Sequence, residues 1–163
     1  MSRGKLSKVL MISPDKCISC RTCEIICSFT KDNEINPKNS AVSVLTYEEA
    51  LISVPIMCMH CEDAACEKVC PVGAIKRVDN AVVVDHEKCI GCKMCISACP
   101  LGNITFNSKQ KKIVKCDLCG GDPQCAKFCP SGAIEYKEAT PNNLNRKKII
   151  AEKFKELFEE VEK

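Results

Sequence analysis

Sixteen of the 163 residues are cysteine, and they fall into four groups of four with one recurring spacing. The first group is Cys17-x2-Cys20-x2-Cys23-x3-Cys27 and the third is Cys89-x2-Cys92-x2-Cys95-x3-Cys99. The second, Cys58-x2-Cys61-x4-Cys66-x3-Cys70, and the fourth, Cys116-x2-Cys119-x5-Cys125-x3-Cys129, lengthen only the middle gap. Three groups run on alike, as Cys70-Pro-Val-Gly-Ala-Ile, Cys99-Pro-Leu-Gly-Asn-Ile and Cys129-Pro-Ser-Gly-Ala-Ile; the first departs with Cys27-Ser-Phe-Thr. A different backbone path after Cys27 is the expectation.

Such a chain must be stapled, either by disulfides or by metal. Aromatic residues make up 4% and tryptophan is absent, so large rings cannot fill a large core. The opening residues Met1 to Ile12 hold only a brief apolar run, broken at Ser13-Pro14, which is short for an export signal. No stretch approaches the apolar length of a membrane span, and no direct membrane insertion is expected. A cytoplasmic location is therefore expected, where structural disulfides are rare. Metal is the better staple.

The spacing narrows the metal. A cubane of iron and sulfide offers four corners, each taking one thiolate. Cysteines at i, i+3 and i+6 let one tight loop hold three corners, while the fourth cysteine points away and reaches a neighbouring cluster. Tetrahedral zinc takes two C-x2-C pairs separated by a longer arm, which leaves the third cysteine of each group unexplained, and the Pro-x-Gly continuation too.

Between the groups the pattern is short strands and tight turns. Residues 74–78 and 81–85 read as a hairpin turning at Asp79-Asn80, residues 104–106 and 112–114 as a second, and residues 41–45 and 51–56 as a third. The segments before each final cysteine (24–27, 67–70, 96–99, 126–129) suit short helices, three of them stopped by proline. Strands at 8–12 and 133–136 bracket the cysteine region. The strand entering a two-cluster unit commonly pairs with the strand leaving it, so the reading is α+β: two nested bacterial-ferredoxin-like (βαββαβ) units. Residues 1–57 and 112–139 form the outer unit and 58–111 the inserted inner one. In the tail, residues 140–163, Thr140-Pro141 resembles a helix start, and Ile150, Phe154, Leu157, Phe158 and Val161 share one helical stripe. This C-terminal amphipathic helix either packs on its own domain or docks on a partner.

The four groups, with Met59-His-Cys-Glu-Asp-Ala-Ala-Cys and Lys115-Cys-Asp-Leu-Cys-Gly-Gly-Asp-Pro, resemble a known family over roughly residues 7 to 138. It comprises the four-cluster, ferredoxin-like iron–sulfur subunits of molybdenum and tungsten oxidoreductases, of the dimethyl sulfoxide reductase and formate dehydrogenase type. In size the chain is similar to the small subunits beside tungsten aldehyde oxidoreductases or carbon monoxide dehydrogenases. The resemblance and the nesting together imply four [4Fe–4S] clusters. Cys17, Cys20 and Cys23 would share one with Cys129, and Cys116, Cys119 and Cys125 would take Cys27. Cys58, Cys61 and Cys66 would join Cys99, and Cys89, Cys92 and Cys95 would join Cys70. The expected role is electron transfer without catalysis, beside a larger catalytic subunit and a further redox subunit or ferredoxin. The alternatives are a freestanding polyferredoxin, a subunit of a carbon monoxide dehydrogenase, formate dehydrogenase or hydrogenase, and a structural or nucleic-acid-binding metal module.

The formal charge of +3 counts cysteines as neutral. Each oxidised cluster with four thiolates carries about −2, so four bring the total to about −5, and no nucleic-acid partner is implied. No nucleophile elbow, phosphate loop or dinucleotide fingerprint appears. His60 and His86 read as ordinary hydrogen-bonding or surface residues. Met57 and Met59 are expected to pack beside a cluster and exclude water. Arg21, Lys68 and Lys93 form a solvated face or lift a cluster's potential.

Overall fold

The computed structural model describes residues 8–139; the expected tail helix at 140–163 lies outside them. Two compact units divide the chain, Leu10–Tyr136, which carries every cysteine, and Met1–Val9 with Lys137–Lys163, of which residues 8, 9 and 137–139 are described. The described elements are β1 (Lys8–Ile12), α1 (Thr22–Asp32), β2 (Val42–Tyr47), β3 (Ile52–Met57), α2 (Ala65–Lys68), β4 (Ile75–Val78), β5 (Ala81–Val84), α3 (Met94–Ala98), β6 (Thr105–Asn107), β7 (Lys112–Val114), α4 (Gln124–Lys127) and β8 (Ile134–Glu138). Short strands and short helices make this a small α+β fold of ferredoxin-like type, as expected.

The strands form four two-stranded ribbons: β1 with β8, β2 with β3, β4 with β5 and β6 with β7. All three expected hairpins form, and the last three ribbons are antiparallel. In the tightest, Val78 faces Ala81 across Asp79-Asn80, with Asp79 in the left-handed region at φ 50°. Asp is among the few L residues that enter that region at modest cost, which suits a two-residue turn.

Helix length follows proline. Groups two, three and four meet a Pro immediately after their last cysteine, and α2, α3 and α4 are 4, 5 and 4 residues long. Group one lacks that proline, and α1 runs for 11 residues, carrying Cys27 inside the helix before ending at Asn33 in the left-handed conformation. The departure after Cys27 is thus a continued helix.

The first and last helices pair, α1 on α4, and the two between them pair with each other, α2 on α3. Two buried clusters follow. One gathers Cys23, Cys27, Val42, Val44, Met57, Val114, Cys125 and Ile134, and the other Ala64, Ile75, Val82, Cys95, Ile104 and Ile113. Ile113 and Val114 of β7 enter opposite clusters, as neighbours on a pleated strand must.

Candidate metal centres

None of the sixteen cysteines is in a disulfide. They line four cavities, and each cavity takes four of them. The first holds Cys17, Cys20, Cys23 and Cys129, the second Cys27, Cys116, Cys119 and Cys125. The third holds Cys58, Cys61, Cys66 and Cys99, the fourth Cys70, Cys89, Cys92 and Cys95. Their empty volumes are alike, about 290, 330, 410 and 320 Å³ in that order. A broader hollow lined by Phe29, Gln110, Lys112 and Phe128 lies open to solvent and contains one cysteine, Cys119, so it is not a further site of this kind.

The backbone around each site repeats. The residue before the second cysteine of every group is left-handed: Ser19 (φ 57°), His60 (φ 47°), Gly91 (φ 70°) and Leu118 (φ 56°). Three of these four are not glycine, so each loop holds a conformation that L residues rarely adopt. The Pro-x-Gly turns repeat too, with Gly73, Gly102 and Gly132 at φ 58°, 63° and 66°. At Cys70 and Cys129 the turn folds the following backbone N–H groups over the last cysteine. The Ala74 N–H donates to Cys70 Sγ at 3.2 Å. Burial pushes the Cys70 thiol up, but the N–H groups of Ala74, Ile75, Val72 and Gly73 outweigh it and leave it below its ordinary range. At Cys129 burial is likewise outweighed, by the Ile134 and Ala133 N–H groups and by Ser131. Cys27, without such a turn, receives the Ala41 N–H at 3.4 Å from across α1.

Six cysteines on the triplet side shift in the opposite direction. Burial pushes Cys23 up to about 12, with Glu24 adding to it, and Cys116 up to about 12. Cys66, Cys95, Cys119 and Cys125 are raised chiefly by burial as well. Buried thiols of this kind become thiolates only when a cation replaces the proton.

The cavities also decide what kind of metal fits. A single zinc needs four sulfurs at about 2.3 Å from one point. Among the described residues no group of three or more His, Cys, Asp or Glu side chains converges in that way. The cysteines surround a void instead, with backbone N–H groups and apolar side chains between them. That donor set suits a polynuclear iron–sulfide group.

Cations line every cavity. Arg21 and Lys93 stand at equivalent places after the second cysteine, left-handed at φ 54° and 64°; Arg21 is exposed, and Lys93 Nζ lies 4.1 Å from the centroid of the Phe106 ring. Lys68 lines none of the four and pairs with Asp63 at the surface. Lys31, in the second cavity, is held at 2.8 Å by Asp117. Burial opposes that charge pair at both ends, yet the contact keeps Lys31 above and Asp117 below its ordinary range. In the third cavity Lys115, itself buried, sends Nζ to Cys58 Sγ at 3.2 Å and to the Val82 carbonyl.

The methionines divide. Met57 is 2% exposed and lines the second cavity, as expected of a water-excluding neighbour, whereas Met59 lines the third and is half exposed. His86 is exposed. His60 is not a surface residue: it lines the third cavity, and its Nδ1 accepts the Val82 N–H at 2.9 Å. Burial, with Lys115 and Arg77 adding to it, lowers its pKa to about 4, so the ring is neutral. Spacing gave no sign of two further features. Buried Glu24 accepts the Val44 N–H at 2.7 Å and ties α1 to β2. Arg77 reaches the carbonyls of His60 and Cys61 and fixes that loop.

Comparison with known proteins agrees with this chemistry. A 4Fe-4S dicluster domain matches residues 49–139, and a 4Fe-4S binding domain matches residues 14–30. The protein belongs to the 4Fe-4S dicluster family. It is similar to the polyferredoxin-like subunit of an aliphatic sulfonate oxidoreductase from Pyrococcus furiosus, 41% identical over 74% of this chain and 70% of that one. It is also similar to one of the chains of the anaerobic dimethyl sulfoxide reductase of Escherichia coli, 36% identical over 77% and 70%. Among solved structures, the active-site complex BamBC of benzoyl coenzyme A reductase contains a chain 25% identical, with a TM-score of 0.51, covering 98% of this chain and 99% of that one. This dicluster protein therefore binds [4Fe–4S] clusters and is an iron–sulfur electron-transfer protein of oxidoreductase systems, not a catalytic subunit. No described helix is long and apolar enough to cross a membrane.

Proposed function

We propose that this chain holds four [4Fe–4S] clusters, one in each cysteine-lined cavity, and conducts electrons between a larger catalytic subunit and a second redox partner. The observation that carries the reading is the lining of the cavities. Sixteen thiols divide into four sets of four with none left over or shared, and each set joins three cysteines of one group to the last cysteine of another. On this reading Cys17, Cys20, Cys23 and Cys129 hold one cluster, and Cys27, Cys116, Cys119 and Cys125 the next. Cys58, Cys61, Cys66 and Cys99 hold the third, and Cys70, Cys89, Cys92 and Cys95 the fourth. Each cluster, when bound, supplies one-electron oxidation and reduction. The chain's own part is to exclude water with Met57, Val44 and Ile104, to aim N–H groups at sulfur, and to offset charge with Arg21, Lys31, Lys93 and Lys115.

Two nested ferredoxin-like units accompany that assignment, residues 1–57 with 112–139 outside and 58–111 inside. The separate buried clusters and the pairing of α1 with α4 and α2 with α3 support it. For the catalytic partner we take a tungsten or molybdenum pterin enzyme of the aldehyde-oxidising kind, in a reducing cytoplasm. The resemblance in size and motif supports this, as does a relative that is itself a subunit of an oxidoreductase.

Anaerobic purification of the tagged chain from its native cells tests the function. A larger pterin-containing polypeptide should come with it, and adding that enzyme's substrate should bleach the visible absorption of the iron–sulfur chain. A chain always recovered alone, and bleached by no such substrate, would refute the subunit role.

A further inference from the structure

The third cavity differs from the other three in its donors. Each cavity is lined by one basic side chain, but Arg21 and Lys93 are exposed and Lys31 is matched by the Asp117 carboxylate. Lys115 is 5% exposed, has no carboxylate partner among the described residues, and places Nζ 3.2 Å from Cys58 Sγ. The same cavity has a second unspent donor. His60 Nδ1 accepts the Val82 N–H, so in the neutral ring the proton sits on Nε2. That Nε2 is buried and is the side-chain nitrogen or oxygen atom left without a partner among the described residues. A buried donor without an acceptor is costly, and a native fold retains one where something absent from the protein chain accepts it. The loop bearing His60 is also fixed from outside, by Arg77 on the carbonyls of His60 and Cys61.

We propose that His60 Nε2–H and Lys115 Nζ both donate to the cluster held by Cys58, Cys61, Cys66 and Cys99, and make it the first of the four to be reduced. This rests on the ligand sets given above. Reduction adds one electron and makes or breaks no bond, so the site becomes more negative by one charge. A donor and a cation at the sulfurs favour that more negative form. The three sites whose cations are exposed or already neutralised gain less. His60 and Lys115 are potential-setting residues, since neither supplies a ligand.

The test is a potentiometric titration of the holoprotein with dithionite, followed by paramagnetic resonance, for the wild type, His60→Leu, His60→Gln, Lys115→Met and Lys115→Arg. Gln and Arg retain a donor of similar reach. His60→Leu and Lys115→Met should each lower the reduced-to-oxidised ratio of one cluster, at fixed potential, by about tenfold or more, which is about 59 mV per tenfold for one electron. The other three clusters should hold, and the Gln and Arg variants should recover most of the loss. Full iron content with unchanged potentials, or an equal shift of all four clusters, would overturn the proposal. A wild type lacking about sixteen iron per chain would instead overturn the ligand sets beneath it. Should the Leu variant lose iron, the wild type still decides. The chain has two histidines, His60 and His86, and of the two His60 lines one of the four cysteine cavities. Reduced protein labelled with 15N-histidine should show a nitrogen hyperfine coupling to one cluster, removed by His60→Gln but not by His86→Gln. No coupling means no such hydrogen bond.

Discussion

Ile104 and Ile134 stand at the same place in two repeats, two residues after the glycine of a Pro-x-Gly turn, and each is 2% exposed. Ile104 belongs to the buried cluster of Ile75 and Val82, and lines the cavity of Cys58. Ile134 belongs to the cluster of Val42 and Met57, and lines the cavity of Cys17. Truncating either to alanine removes a fully buried side chain and leaves a hole, at about 2–5 kcal/mol. With so few large side chains nearby, little can move to fill it. Local opening should then become more frequent by about 30-fold at least, taking 1.4 kcal/mol per tenfold. The assay is iron capture by a strong chelator under anaerobic conditions, in the regime where the site recloses faster than iron is extracted, so that release follows the opening equilibrium. In Ile104→Ala about half of the iron should leave in a fast phase and the rest at the wild-type rate. In Ile134→Ala the other half should leave fast, and the phase lost should differ in its paramagnetic signal. If either variant released all its iron in one accelerated phase, the two buried clusters would be a single cooperative core, and the nested division would be wrong.

The pairing of distant cysteines can be read from double substitutions. Cys17→Ser with Cys129→Ser should lose no more iron than either change alone, whereas Cys116→Ser with Cys129→Ser should lose about twice as much; the reverse outcome would reassign the fourth ligand. Gly132→Ala meets no atom within 4 Å of the new methyl but must hold φ at +66°, so it should cost about 1–2 kcal/mol of backbone strain. That should lower the unfolding midpoint by about 2–8 °C, and Gly132→Asn should cost less, because asparagine tolerates the left-handed region.

Much of this arrangement was legible because the motif acts locally. Proline after the last cysteine stops α2, α3 and α4, and its absence lets α1 run on past Cys27. Asp79-Asn80 between two short runs rich in β-branched residues placed β4 and β5 within a residue or so. What stayed hidden depends on contacts between segments far apart in the chain. His60 reads as an ordinary hydrogen-bonding or surface histidine until Val82, 22 positions later, supplies the N–H that its Nδ1 accepts beside the third cavity. Lys115 reads as one more charge among 24 lysines and arginines until β7 carries it beside Cys58. The Ala41 N–H that replaces a Pro-x-Gly turn at Cys27 comes from the loop before β2, and nothing in the motif announces it.

The way each triplet is completed by a remote cysteine sets an order of events during synthesis. The chain leaves the ribosome from its N-terminus, so the walls around Cys58 and Cys89 can close once residues 115 and 113 have emerged. Those around Cys17 and Cys116 must wait for residues 129 and 125. The earliest thiols to appear, Cys17, Cys20 and Cys23, are therefore the last to be enclosed, and through that interval they stand open to oxygen and to stray metals. On the proposed ligand sets the two inner sites are complete before the two outer ones, and the first-made thiols wait longest for their fourth partner.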